Sequence, residues 1–166
     1  MISELAVAGA VMSDCGRFRY LLTRRFPSVD GPPVTFIMLN PSTADAANDD
    51  PTVRRCMAYA RRWGHGTLCV VNLFAVRSTS PREISECSAA GVDPRGPDNL
   101  LYVQRACSTG EVVCAWGNHG AFEHAGARMI EWLRDQGVKP VALQMTKAGH
   151  PAHPLYLPGD LQPLPI

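Results

Sequence analysis

The chain has 166 residues, 46% of them hydrophobic and 19% charged, and a formal net charge of +1. That length predicts one domain over residues 1–166, and the composition builds a core and excludes an intrinsically disordered chain. The near-neutral charge excludes a grip on nucleic acid by bulk positive charge, and no apolar run approaches the roughly 20 residues that cross a bilayer.

Residues 2–12 are mildly apolar, but Glu4 interrupts them and no basic region precedes them, so they do not read as a signal peptide. Residues 6–12 and 18–26 read as an antiparallel pair at a sheet edge, joined through the turn Ser13-Asp14-Cys15-Gly16. Arg17, Arg19, Arg24 and Arg25 read as solvated charges guarding that edge. Residues 34–39 are a buried strand, stopped by Asn40-Pro41-Ser42-Thr43; Pro41 removes a donor and forces Asn40 to be extended. Asp45, Asp49 and Asp50 follow. Asp50-Pro51 is a helix start, with Asp as N-cap and Pro at the first helical position. Val53, Cys56, Met57, Ala60 and Trp63 recur at helical spacing. Arg54 and Arg55 stand in the first turn, either as ordinary exposed residues or as contacts to an anionic substrate.

Residues 67–71 form the next apolar strand, ending in Asn72-Leu73-Phe74. An amide at that place offers one donor face and one acceptor, enough to read a base edge; the plainer reading is an Asn bonding its own turn. Ser80 and Glu83 form a capping box for a short helix over 81–87. Residues 91–97 are a Gly/Pro-rich loop placed to cross the site, and 98–106 are helical. A third strand over 111–117 ends in Trp116-Gly117, a helix runs from 118 to about 136, and a fourth strand covers 138–144. Lys147, His150 and His153 lie in the polar, Pro-rich segment that follows, and the tail after Gly159 wraps the surface. The six cysteines (Cys15, Cys56, Cys69, Cys87, Cys107 and Cys114) contain no Cys-x-x-Cys pair and read as reduced thiols of a cytoplasmic protein.

Four strands alternate with helices, which predicts a mainly parallel four-stranded sheet between helical layers, with the polar strand ends along one edge. The order LNPSTAD…DDPT, VVNLFAVR, AWG and K-x-G-x-P-x-HPLYL, from about Arg19 to Leu157, resembles the bacterial family of unknown function numbered 1643. The same order is similar to the uracil-DNA glycosylase superfamily. That resemblance implies a three-layer α/β/α sandwich and a hydrolase that cleaves an N-glycosidic bond in DNA, a nucleotide or a nucleoside. Asn40-Pro41 matches the motif that aims a water, Asn72 the Asn that reads the base, Trp116-Gly117 the third strand end, and His153-Pro154 the loop whose His stabilises the departing base. Asn40 can place a water but cannot take its proton, so Asp45, Asp49 or Asp50 is expected to supply the carboxylate. The expected catalytic set is Asn40, Asp45, Asp50 and His153. The expected binding set is Pro41, Ser42, Thr43, Asn72, Phe74 as a stacking ring, Trp116, Lys147 and His150, with no cofactor and no metal. Ser42-Thr43 and the helix after Asp50 form the expected phosphate cradle. Leu155-Tyr156 departs from the superfamily's Ser-Pro, and no basic intercalating loop accompanies Lys147. Two alternatives stand beside this reading. One is a metal-dependent hydrolase on Asp45, Asp49, Asp50, His150 and His153; the other is a nucleotide- or nucleic-acid-binding module without chemistry.

Overall fold

The computed structural model describes residues 8–166. The expectations for residues 1–7, including most of the mildly apolar leader, lie outside the described residues. Among the described residues, seven strands form one sheet: β1 (Ala8–Met12), β2 (Arg19–Arg25), β3 (Pro33–Met38), β4 (Thr67–Asn72), β5 (Glu111–Cys114), β6 (Val141–Ala142) and β7 (Leu164–Pro165). Their order is β1-β2-β4-β3-β5-β6-β7. The middle four, β4, β3, β5 and β6, run parallel, and β1, β2 and β7 are antiparallel to their neighbours. Four α-helices accompany them among the described residues: α1 (Pro51–Arg62), α2 (Arg82–Ala89), α3 (Asn99–Cys107) and α4 (Ala125–Asp135).

The four parallel strands are thus the centre of a larger mixed sheet. β2 is hydrogen-bonded on both sides, to β1 and to β4, so it is an interior strand. The tail also does more than wrap: Leu164 pairs with Ala142 and Ile166 N–H donates to the Pro140 carbonyl at 3.1 Å, closing the edge that the two-residue β6 leaves open.

Period-two alternation sends successive side chains to opposite faces. On one face Leu22, Phe36, Met38 and Val70 pack with Val53, Cys56 and Tyr59 of α1. On the other, Ile37, Leu39, Val71 and Val112 pack with Ile84 of α2, Val103 of α3 and Leu133 of α4. Burial on both faces explains why the strands read as unbroken apolar runs. Phe36 is fully buried, so truncating it to Ala is expected to cost about 3–5 kcal/mol.

The expected continuous helix over 118–136 is broken. A 3-10 stretch, Asn118–His124, precedes α4, and Glu123 (φ 50°) and His124 (φ 55°) take left-handed conformations between them. The break is anchored by the Glu123 carboxylate, which accepts from Arg95 Nη2 at 2.6 Å and from Ser88 Oγ at 3.0 Å. It makes room for Trp116. A Cβ added at Gly120 or Gly126 would stand 2.1 and 2.6 Å from its indole, so both positions require glycine.

Candidate functional site

Because β3, β4 and β5 are parallel, their carboxyl ends share one edge of the sheet, where open α/β sheets hold ligands. A cavity of about 490 Å³ opens there, within the usual size of a small-molecule site. Its lining combines Asn40 after β3, Asn72 at the end of β4, Trp116 after β5, Asp50 at the mouth of α1 and His153 from the final loop. Ser42 and Ser78 also line it. Five strand- or loop-end residues from distant parts of the chain therefore meet in one place.

Each is held by local geometry. Asn40 Nδ2 donates to the carbonyls of Pro41 at 3.2 Å and Ser78 at 3.0 Å. Carbonyl partners on the nitrogen fix the amide orientation and leave Oδ1 as the acceptor. Pro41 is buried, and its carbonyl takes the Ser78 N–H at 2.9 Å, so the loop after β3 is clasped to the loop after β4. Asp50 is the N-cap of α1: its Oδ1 accepts from the Val53 N–H at 2.8 Å. That carboxylate occupies the helix N-terminus, so the expected phosphate cradle there is already filled by the chain's own anion.

His153 is placed by a hydrogen bond from the Gly117 N–H to the Pro151 carbonyl at 2.8 Å, which ties the final loop to the end of β5. Its Nδ1 accepts the Leu155 N–H at 3.3 Å, so in the neutral ring the proton sits on Nε2. Burial pushes the imidazole below its ordinary 6.5, with Asp50 pulling in the other direction. The residue is a neutral N–H donor at neutral pH.

Asn72 is 1% exposed, and neither its Oδ1 nor its Nδ2 has a hydrogen-bond partner among the described residues. Its backbone is firmly held: Asn99 Nδ2 donates to the Asn72 carbonyl at 2.9 Å and to Leu73 at 3.4 Å. So the amide does not bond its own turn. A buried amide with nothing to bond is costly, by about 1–3 kcal/mol per orphaned group.

The strand that sequence reading gave to a solvated edge supplies the largest surprise. Arg19 is 2% exposed and lines the cavity. Its Nη1 donates to the Ala44 carbonyl at 2.6 Å, while Nε is buried without a partner among the described residues. Burial pushes the guanidinium down to about 10, partly offset by Asp50, so it stays charged at neutral pH. Arg24, 6% exposed, does the opposite work. Its Nε pairs with Asp49 Oδ1 at 2.8 Å, and its other nitrogens donate to the carbonyls of Thr23 and Asp45 at 2.8 and 2.6 Å. It pins the 45–49 loop to the sheet. The sequence carries a signal for Arg19 alone, which stands between Phe18 and Tyr20; Arg24 stands between Thr23 and Arg25.

Other expected site residues lie outside the cavity. Asp45 caps its own turn, its Oδ1 accepting the N–H groups of Ala47 and Asn48 at 2.8 Å each; those bonds hold its carboxyl below the usual carboxylate range. Phe74 is fully buried, tilted against Phe122 with ring centroids 5.8 Å apart and under the Arg95 guanidinium, so it is a core ring and not a stacking platform. Lys147 and His150 sit on the turn closed by the Gly149 N–H to the Thr146 carbonyl at 2.9 Å. Thr43 is exposed and off the cavity. Arg54 donates to the Asp49 carbonyl and Arg55 to the Leu157 carbonyl, so both brace loops. The 91–97 loop runs beside Phe18 and Glu123, away from this cavity. At the second helix, Ser80 Oγ reaches the Arg82 N–H at 3.3 Å but Pro81 holds the N-cap position, so no capping box forms.

No three His, Cys, Asp or Glu side chains gather with metal-holding geometry among the described residues. All six cysteines are free, and burial pushes the Cys69 and Cys107 thiols up to about 11 and 12, which removes them as nucleophiles at neutral pH. No helix of the described residues is long and apolar enough to cross a membrane.

The fold and cavity define a mixed α/β protein with a polar, partly unsatisfied site at the carboxyl edge of its parallel strands. The family model described as Protein of unknown function (DUF1643) matches residues 19–155, and the chain belongs to that family. No curated protein and no solved structure matches it.

Proposed function

We propose that this protein hydrolyses an N-glycosidic bond of a nucleobase-containing substrate, on a three-layer scaffold related to the uracil-DNA glycosylases. The observation that carries the reading is the unpartnered Asn72 amide. A buried donor and acceptor side by side complement the edge of a nucleobase, and a bound base would relieve both orphaned atoms. The other groups fit the same reaction. Asn40 Oδ1 orients a water, and the Asp50 oxygen not used in capping takes its proton. The water oxygen bonds the sugar carbon as the carbon–nitrogen bond breaks, and the electron pair leaves on the base. His153, with its proton on Nε2, donates a hydrogen bond to that base without first having to be ionised.

The superfamily resemblance supports the same assignment at Asn40, Asn72, Trp116 and His153. Asp50, and not Asp45 or Asp49, is the carboxylate of the set that lines the cavity. The test is release of free base, followed by mass spectrometry, from deaminated and modified bases presented as single-stranded DNA, duplex DNA, nucleotide and nucleoside. The expected result is release from at least one form, unchanged by EDTA and slowed by about 10²–10⁴ in His153→Ala. Tight binding without release contradicts the hydrolase and leaves the binding module, a reading that the Asn at position 40, unable to take a proton, also accommodates.

A further inference from the structure

Within the proposed site, the floor and the rim differ in kind. Asn118, His119 and Tyr156 at the rim are exposed, Tyr156 by 84%. Arg19, Met38, Val70 and Asn72 form the floor, each no more than 4% exposed. The floor therefore holds one full positive charge beside the orphaned amide.

Among the described residues, that charge has no carboxylate within ion-pair distance. The ion pairs among the described residues are Arg24–Asp49, His65–Glu111, Arg95–Asp93 and Arg95–Glu123, and Arg19 belongs to none. Of the five N–H donors of its guanidinium, one reaches the Ala44 carbonyl and Nε reaches nothing among the described residues. A buried charge is ordinarily paired and fully hydrogen-bonded, because its desolvation is costly. Arg24, five residues along the same strand, shows how this protein satisfies an arginine that only braces structure. Asp50 and Asp45 lend Arg19 some distant support, while Arg24 and Arg77 oppose it.

We propose that Arg19 is the seat of a negatively charged oxygen group of the ligand, so that the substrate presents an anion to the cavity floor beside the base edge read by Asn72. This rests on the nucleobase reading above and adds the charge class of the substrate. Two sources carry the shared chemistry: a phosphate on the sugar, or an enolate-like oxygen of an ionised base. A duplex backbone cannot bring its phosphates to residues this deep, so either source enters as a small molecule or as an extruded nucleotide. In the second case Arg19 also meets the charge that appears on the base as its bond to the sugar breaks, in a setting of low dielectric where such a contact is strongest.

Calorimetric titration separates the outcomes. The probes are common and deaminated ribonucleosides, their 5′-monophosphates, inorganic phosphate, and 5-nitrouracil as a base already ionised at neutral pH. The expected result is that a monophosphate or the ionised base binds at least tenfold more tightly than its neutral counterpart. Arg19→Met should erase that preference, while Arg19→Lys retains part of it. Preference for monophosphates identifies the phosphate source; preference for 5-nitrouracil identifies the base. Neutral nucleosides binding as well as anions would overturn the anion seat and leave the nucleobase reading standing. Inorganic phosphate binding through Arg19, with no contribution from any base, would keep the seat and overturn the nucleobase reading. Binding of no probe overturns both. The wild-type preference is read without any variant, so a misfolded Arg19→Met does not decide the matter.

Discussion

Arg19 and Arg24 leave the same strand and are almost equally buried, yet they serve two different regions. Around the 45–49 loop, Arg24 has a carboxylate and two well-aligned carbonyls, and the loop is a finished structure. At the cavity floor, among the described residues, Arg19 has one carbonyl, and its neighbour Asn72 has nothing on its amide. The first region is a solved hydrogen-bond problem; the second is unsolved until something enters. Burial alone does not separate structure from function here. For these two arginines the state of satisfaction does, since native proteins pair more than about 90% of their buried polar groups and the exceptions need a reason; Tyr20 Oη, Arg55 Nε and Asn99 Oδ1 are further buried atoms without a partner among the described residues.

The sharpest way to break that comparison is through catalysis. Asp50→Asn keeps an equally good N-cap but removes the proton acceptor. His153→Ala removes the donor to the departing base. Each is expected to lower turnover by about 10²–10⁴, the range for a lost acid–base group, with little change in melting temperature. A loss of activity that tracks loss of fold would reduce both residues to scaffolding.

Stability separates the two arginines directly. Arg24→Met strands Asp49 and the carbonyls of Thr23 and Asp45 and is expected to cost about 3–5 kcal/mol. Arg19→Met loses one hydrogen bond and sheds a buried charge, so its effect is expected to stay within about 1 kcal/mol or to be stabilising. Denaturant unfolding of both variants checks this, and equal costs would contradict the distinction. Asn72→Leu is a smaller change of the same sort. It replaces an orphaned amide with an apolar group of similar shape, so stability should hold or rise while ligand affinity falls by about 1–3 kcal/mol.

The weakest effect is the pH dependence of His153. Its folded pKa lies below 6.5, so the unfolded chain binds the proton more readily. The stability it contributes is complete above pH 6.5, declines as the pH falls toward the folded value and is gone below it. Melting curves should show wild type losing more stability over that acidic window than His153→Gln. Turnover should likewise fall on the acid side, because protonating Nδ1 breaks its bond to the Leu155 N–H.

Much of the centre was legible. The runs ending in Asn40, Asn72 and Trp116 gave the parallel strands, because strands buried on both faces are apolar throughout. Asp50-Pro51 gave the start of α1, since the cap and the ring-locked first position act locally. What failed was tertiary. Phe74 follows Asn72 by two residues and looked equally close to a ligand, but the turn after β4 carries it into the core beside Phe122. Asp45 resembled a catalytic carboxylate, but its nearest donors are the N–H groups of its own turn. Arg19 and Arg24 looked like edge charges because β2 was expected at the border; Arg24 is instead paired to Leu68 of β4, and Arg19 lies against the loop after β4, its backbone N–H donating to the Ala75 carbonyl at 2.9 Å. The closing strand β7 had no sequence signal, as its two residues include a proline.

The most direct test compares Asn72, at the end of β4, with Asn99, the first residue of α3. The Asn72 amide has no partner among the described residues, whereas the Asn99 amide nitrogen already donates to the Asn72 and Leu73 carbonyls. Side-chain amide signals of both can be followed by nitrogen-edited NMR while uridine 5′-monophosphate and the corresponding deaminated purine nucleotides are titrated in. The account predicts a large shift at Asn72 with saturation, and little at Asn99. Saturable binding that leaves the Asn72 amide unmoved would contradict it, because the orphaned group would then not be where the ligand goes.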